Sequence, residues 1–190
     1  DPHRGGVATL VGVTIERFSP EDWNDRAVGL LSEDRKNEGL AQNLSGVSNM
    51  MLSTLSRTAR FGCLLGSSAE RTATRIGKQL GIKWASPHQR VASLSGGNQQ
   101  KVAMARLLVS GADVLLLDEP TRGIDVGAKV DLYQAIGELA ARGKAILLVS
   151  SYLPEIFGIC DRIAVMARGV LSEAIDVKDL TPERVMHMAT

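Results

Sequence analysis

Val114-Leu115-Leu116-Leu117-Asp118-Glu119-Pro120-Thr121 sets four consecutive apolar residues directly before two carboxylates and a proline. A short apolar run bounded in this way reads as a strand buried on both faces, the kind found in parallel sheets whose crossover helices cover each side. In such sheets ligands gather beyond the carboxyl ends of the strands, which puts Asp118 and Glu119 at the functional edge.

The flanking sequence alternates in the same sense. Gln99 to Val109 carries Val102, Ala105, Leu108 and Val109 at helical spacing. Downstream come a helix over Val126 to Ala141, a strand over Ala145 to Val149, a short helix over Pro154 to Ile159 and a strand over Arg162 to Met166. This order predicts an α/β fold built on a parallel sheet covered on both faces. Gly169 to Ala174 reads as an edge strand, and Thr181-Pro182-Glu183 opens a last helix with a cap residue and a proline at its first position. Toward the N-terminus, Gly6 to Glu16 and Ala27 to Leu31 are rich in β-branched or aliphatic residues and read as strands. Between Asn37 and Arg90 the residues become small, polar and helix-compatible. Asn49 to Ser56 and Ser68 to Leu80 are the expected helices there, with Gly81 as a stop.

The 190 residues, 44% hydrophobic and 23% charged, suffice for one domain with a sizeable core and exclude disordered and collagen-like classes. Twenty-two Lys and Arg against 21 Asp and Glu leave a net charge of +1 with no basic block, so nothing points to nucleic acid. Cys63 and Cys160 lie far apart and form no CxxC pair, which favours core thiols over a disulfide scaffold. No apolar run approaches the length of about 18 residues that a membrane-spanning helix needs, and Asp1 to Gly6 lacks the apolar core of a signal peptide. A soluble chain is expected. It opens without an initiator Met, which suggests a segment of a longer one. His3, His88 and His187 are scattered and read as surface residues.

Two stretches carry chemistry. Leu94-Ser95-Gly96-Gly97-Asn98-Gln99-Gln100-Lys101 places a hydroxyl and two glycines immediately before an amphipathic helix. Amides at a helix start point outward with the dipole behind them, so an anion can approach the glycines closely and Ser95 can add a hydrogen bond. Alone, the same residues are more often a serine cap on a flexible turn. Asp118 and Glu119 suit a division of labour, with Asp118 as a ligand for a hard cation such as Mg²⁺ and Glu119 orienting or deprotonating an attacking water. Alone, they are equally a pair of solvated loop acids.

Together the stretches LSGGNQQKVAMARLL and VLLLDEPTRGIDVGAK resemble the signature motif, Walker B strand and D-loop of an ABC ATPase. The resemblance is closest to the second nucleotide-binding half of the duplicated ATPase subunits of bacterial ribose, galactose and xylose importers. Ser32 to Leu40, Ser150 to Glu155 and Asp161 to Met166 support that narrower assignment. The resemblance implies a P-loop NTPase core over 1–36 and 94–190, with a helical subdomain and linker over 37–93. It also implies ATP and Mg²⁺ as cofactors. Ser95, Gly96 and Gly97, with Gln99 beside them, would contact the γ-phosphate of ATP held by the opposite ATPase half. Asp125 would act in the D-loop across the dimer, Asp118 would bind Mg²⁺ and Glu119 would be the catalytic base. Implied partners are a second ATPase half, transmembrane permease subunits and, indirectly, a periplasmic sugar-binding protein, at the cytoplasmic side of the inner membrane. A non-catalytic module that only completes another half's site is the alternative.

Three departures from the family pattern bear on catalysis. Glu33 stands where the family has a Mg²⁺-sensing Gln, and Ser151 stands where it has a switch His, whose positive charge a serine cannot supply. No G-x-x-x-x-G-K-[ST] occurs in the chain. That phosphate-cradling loop belongs shortly upstream of the stretch that begins at Asp1, so the domain is expected to lack its first strands and this Walker A loop by truncation.

Overall fold

The computed structural model describes residues 8–10, 13–15, 28–54 and 66–190, which form two compact units, 1–147 and 148–190. His3, Cys63 and the last two residues of the helix expected over Asn49 to Ser56 lie outside the described residues.

The first unit opens with β1 (Ala8–Leu10) and β2 (Val13–Ile15), an antiparallel pair in register Ala8 to Ile15. One strand over Gly6 to Glu16 is therefore corrected to a hairpin. Only Val11 and Gly12 separate the paired Leu10 and Val13, and a glycine in a two-residue connection is a hairpin signal. β3 (Val28–Leu31) pairs in parallel with β4 (Val114–Asp118), Leu31 opposite Leu117, and β5 (Ala145–Val149) lies on the other side of β4. Leu31, Leu115 and Leu117 are fully buried. Gly29 lets the covering helix approach closely, since a Cβ there would stand 2.9 Å from Leu107 Cδ2 and 3.1 Å from the Ala112 Cβ.

Two of the apolar strand residues expected under covering helices are exposed among the described residues. Leu30 is 51% and Leu147 60% exposed. α3 (Gly96–Ser110) packs against β3.

The helical stretch is tied into the same unit. α1 (Gly46–Met51), a 3₁₀ turn (Leu52–Thr54) and α2 (Gly66–Gln79) all pack on α3. α1 starts three residues before the expected Asn49 because Ser45 caps it, accepting the Ser48 amide proton at 3.2 Å. The fully buried Asn49 satisfies the loop before it: its Oδ1 accepts from Ala41 N at 2.8 Å and its Nδ2 donates to the Ala41 and Ser45 carbonyls. α2 stops at Gly81, as expected, with φ +60° and the Ile82 amide bonded back to the Gly77 carbonyl. Gly46 and Gly77 take the Trp84 ring between them, where a Cβ would fall 2.6 Å and 2.4 Å from ring carbons. From α3, Lys101 donates to the Gly81 carbonyl and pairs with Asp131, and Arg106 donates to the Gly39 carbonyl. Burial holds the Arg106 guanidinium below its usual pKa. α4 (Val126–Ala141) completes the unit with Leu132, Ile136 and Leu139 inward.

The second unit holds α5 (Leu153–Ile159), β6 (Arg162–Ile163), β7 (Met166–Ala167), β8 (Val170–Leu171), β9 (Ile175–Asp176) and α6 (Pro182–Met188) around Ile163, Val165, Leu180 and Val185. The strand expected over Arg162 to Met166 is broken in two, and neither piece joins the parallel sheet. β6 pairs antiparallel with β9, and β7 turns into β8 through Arg168 and Gly169, both at positive φ, the geometry of a tight two-residue hairpin. Thr181 caps α6 as expected, with Pro182 at its first position. No described helix is long and apolar enough to cross a membrane.

Candidate functional site

Ser95 is the N-cap of α3 and is solvent-exposed, whereas Gly96 is half-buried and Gly97 buried. The glycines are there for close approach. A Cβ on Gly97 would meet the Ala128 Cβ at 2.8 Å and Asp125 Oδ2 at 3.2 Å. A Cβ on Gly96 would meet Arg35 Nη2 at 2.9 Å and the Gly123 carbonyl oxygen at 3.5 Å. The signature stretch and the segment Arg122 to Asp125, distant in sequence, thus form one surface with Arg35 wedged against it.

Asp125 caps α4, accepting the Ala128 amide proton at 2.9 Å. That bond holds its carboxyl below the usual aspartate pKa, with other backbone amides and Lys101 acting in the same direction. Arg35 Nη1 donates to the Arg122 carbonyl at 3.1 Å, and Glu33 forms an ion pair with the Arg122 side chain. Glu33, expected near a metal, therefore has its carboxylate beside a guanidinium. The run between Ser32 and Gly39 is a turn followed by one π-helical turn (Arg35–Gly39), with Asp34 accepting from Asn37 N and Nδ2.

Asp118 is the last residue of β4, as the strand reading predicted, and Glu119 follows it in the turn. Glu119 has φ +43°, a left-handed conformation rare outside glycine and costing about 1–2 kcal/mol. Its carbonyl accepts the Arg122 amide proton, and Pro120 and Thr121 are buried behind it.

Gln99, expected beside the nucleotide, is turned inward instead. It is 5% exposed and its Nε2 donates to the Val91 and Leu94 carbonyls, so it clamps the loop before Ser95. Ser151 lies exposed in the second unit, just before α5. Its neighbour Ser150 donates to the buried Glu155 at 2.6 Å and accepts the Tyr152 amide proton at 3.1 Å, which fixes the turn on both sides of Ser151. His88 is not isolated, since it lies 3.4 Å from Glu70 on the surface. The Cys160 thiol is pushed up by burial, then by the charges of Glu155 and Asp161.

Sequence reading passed over Asn98, which stands three residues after Ser95. Its Oδ1 accepts the Lys83 amide proton at 2.7 Å and its Nδ2 donates to Ser95 Oγ at 2.9 Å. The serine-x-x-amide spacing was the available signal.

A buried strand ending in two carboxylates and a glycine-rich helix start packed on the next loop define an α/β NTPase-type core. The family described as ABC transporter matches residues 3–122, and this chain belongs to that family. It is 43% identical over 189 residues to "Ribose import ATP-binding protein RbsA 2" of Streptomyces coelicolor, covering 100% of this chain and 37% of the relative. It is 40% identical over 186 residues to "Ribose import ATP-binding protein RbsA 2" of Escherichia coli O157:H7, covering 98% of this chain and again 37% of the relative. The chain thus spans little more than a third of the length of these relatives. Among solved structures, "Dimeric structure of a post-hydrolysis state of the ATP-binding cassette MJ0796 bound to ADP and Pi" shares the fold with a TM-score of 0.77 at 19% identity, over 92% of this chain and 74% of that one.

Proposed function

We propose that this chain forms part of the ATP-binding, ATP-hydrolysing subunit of a bacterial sugar importer, of the ribose-import kind that its relatives' names describe. One observation carries the reading: the Ser95-Gly96-Gly97 helix start is packed on Asp125, the cap of the helix that follows the Asp118-Glu119 turn. In the proposed role Ser95 to Gly97 address the γ-phosphate of ATP on a second ATPase half. Asp118 holds Mg²⁺, Glu119 orients or deprotonates the attacking water, and Asp125 acts across the dimer. Mg²⁺ supplies neutralisation of phosphate charge when bound. The donor set fits both groups, with amides and a hydroxyl for the phosphate and a carboxylate oxygen for a hard cation. Ser151 sits in the place of a switch His without its charge, Glu33 pairs with Arg122 beside this surface, and permease subunits at the cytoplasmic face are the partners that turn hydrolysis into transport.

Hydrolysis by the assembled transporter carrying Glu119→Gln tests the catalytic role. A loss of turnover is expected. Unchanged turnover would establish the second reading, a module that only completes the opposite site, which the serine at position 151 favours. Gly97→Asp tests the phosphate role separately, and full activity in that variant would remove it.

A further inference from the structure

The hydrogen bonds around Ser95 fix which way its hydroxyl points. The Lys83 backbone N–H can only donate, so the Asn98 atom 2.7 Å from it is the amide oxygen. The other end of that side chain is then the NH₂ group, and at 2.9 Å from Ser95 Oγ it must donate to the serine. A second donor, the Asn98 backbone N–H at 3.4 Å, converges on the same oxygen. A hydroxyl oxygen has two acceptor positions and one proton. With both acceptor positions facing Asn98, the Ser95 proton has no acceptor among the described residues and is directed away from the protein, from an exposed position at the start of α3.

Resting on the proposed phosphate role of Ser95, we infer that Asn98 is a positioning residue that commits Ser95 to act as a hydrogen-bond donor toward an anionic phosphate oxygen. This differs from an ordinary capping box, in which the side chain three residues on reaches back to the backbone N–H of the cap residue. Here the amide meets the cap hydroxyl, and Lys83 decides the amide's orientation. A free serine hydroxyl rotates among three staggered positions and must be ordered when the phosphate arrives. One held by Asn98 is already set, which is the preorganisation that makes a donor effective where negative charge develops.

Asn98→Asp reverses the arrangement at constant shape. One carboxylate oxygen still takes the Lys83 proton, but the other can only accept, so the Ser95 proton turns inward to it. Asn98→Ala frees the hydroxyl without redirecting it. In the assembled transporter the expected order of kcat for ATP hydrolysis is wild type, then Asn98→Ala, then Asn98→Asp, with KM for ATP changing less than kcat. Ser95→Ala should lower kcat by about ten- to a hundredfold, the scale of one lost donor to a charged group. In a Ser95→Ala background, Asn98→Ala should have no further effect, and Asn98→Asp only the salt-sensitive effect of its added charge. If Ser95→Ala leaves kcat unchanged, the phosphate role itself fails. If Ser95→Ala lowers kcat while Asn98→Ala matches wild type, or if the two are additive, the positioning role is overturned. Should Asn98→Asp not assemble, Asn98→Ala with and without Ser95→Ala decides the question unaided.

Discussion

A Cβ on Gly97 would fall 2.8 Å from the Cβ of Ala128, so the start of α3 and the first turn of α4 touch with no room for one methyl group. Gly97→Ala is therefore expected to destabilise the fold by about 1–3 kcal/mol through overpacking. Ala128→Gly should restore most of that loss in the double variant, despite its own helix penalty of about 1 kcal/mol. Thermal unfolding of the four proteins checks this, and equal loss in single and double variants would show that the contact is not limiting.

Arg35 and Glu33 reach the same segment in different ways. The Glu33–Arg122 pair is 44% and 65% exposed, a setting in which ion pairs contribute about 0–1 kcal/mol. Arg35 instead fills the space over Gly96 and donates to the Arg122 carbonyl. Arg35→Ala should thus lower the unfolding midpoint more than Glu33→Gln, and Arg35→Lys should recover little because a single ammonium does not reproduce the planar fork. Calorimetric unfolding in which Glu33→Gln shows the larger drop would contradict the assignment.

Lys101 and Asp131 make an unequal pair, with side chains 4% and 45% exposed. Removing the buried partner's counter-charge is the more damaging change. Asp131→Ala removes the direct ion-pair partner of Lys101, leaving the Gly81 carbonyl as its hydrogen-bond acceptor, and is expected to cost about 2–4 kcal/mol, whereas Lys101→Met leaves an aspartate that water can solvate and should cost less. Urea denaturation of both variants would decide, the reverse order being incompatible with this account.

Asp125 predicts an acid-side dependence. Its folded pKa is depressed by the Ala128 amide bond, so its contribution is complete above the unfolded-chain pKa and is lost as pH falls through the lower folded value. The stability gap between wild type and Asp125→Ala should be constant near neutrality and narrow only in the acid range below the usual aspartate pKa. Unfolding titrations from neutral to strongly acid pH would reveal a gap widening with acid if the sign were wrong.

The 190-residue chain by itself should bind Mg-ATP weakly and not hydrolyse it. Ground-state affinity for a triphosphate rests largely on a cradle of backbone donors and a lysine, and no G-x-x-x-x-G-K-[ST] lies within these residues. Asp118 and Glu119 alone repel a polyanion. Isothermal titration showing micromolar binding by this chain would refute the expectation.

Legibility followed the range of the interactions. β4, α3 and α6 could be read because their signals are local: the apolar run Val114 to Leu117, the periodic Val102 and Ala105, and the caps Ser95 and Thr181. Arg162 to Met166 misled for the converse reason. Its apolar residues suit a strand, but which partner it takes is settled by Ile175 and Leu171, beyond any local window. At the candidate site, residue types nominated Ser95, Gly97, Asp118 and Glu119, whereas Gln99, nominated with them, is held by carbonyl partners that no spacing announces. The wedge of Arg35 at Gly96 joins residues too far apart for spacing to reveal.

The left-handed backbone at Glu119 bears on how this stretch would evolve. Glycine or asparagine would relax that peptide, so selection for heat resistance alone would drift toward either one at position 119. In the catalytic role proposed for Glu119, durability and turnover pull apart at this position, and a library sorted first for thermal survival and then for ATP hydrolysis should split there into two populations.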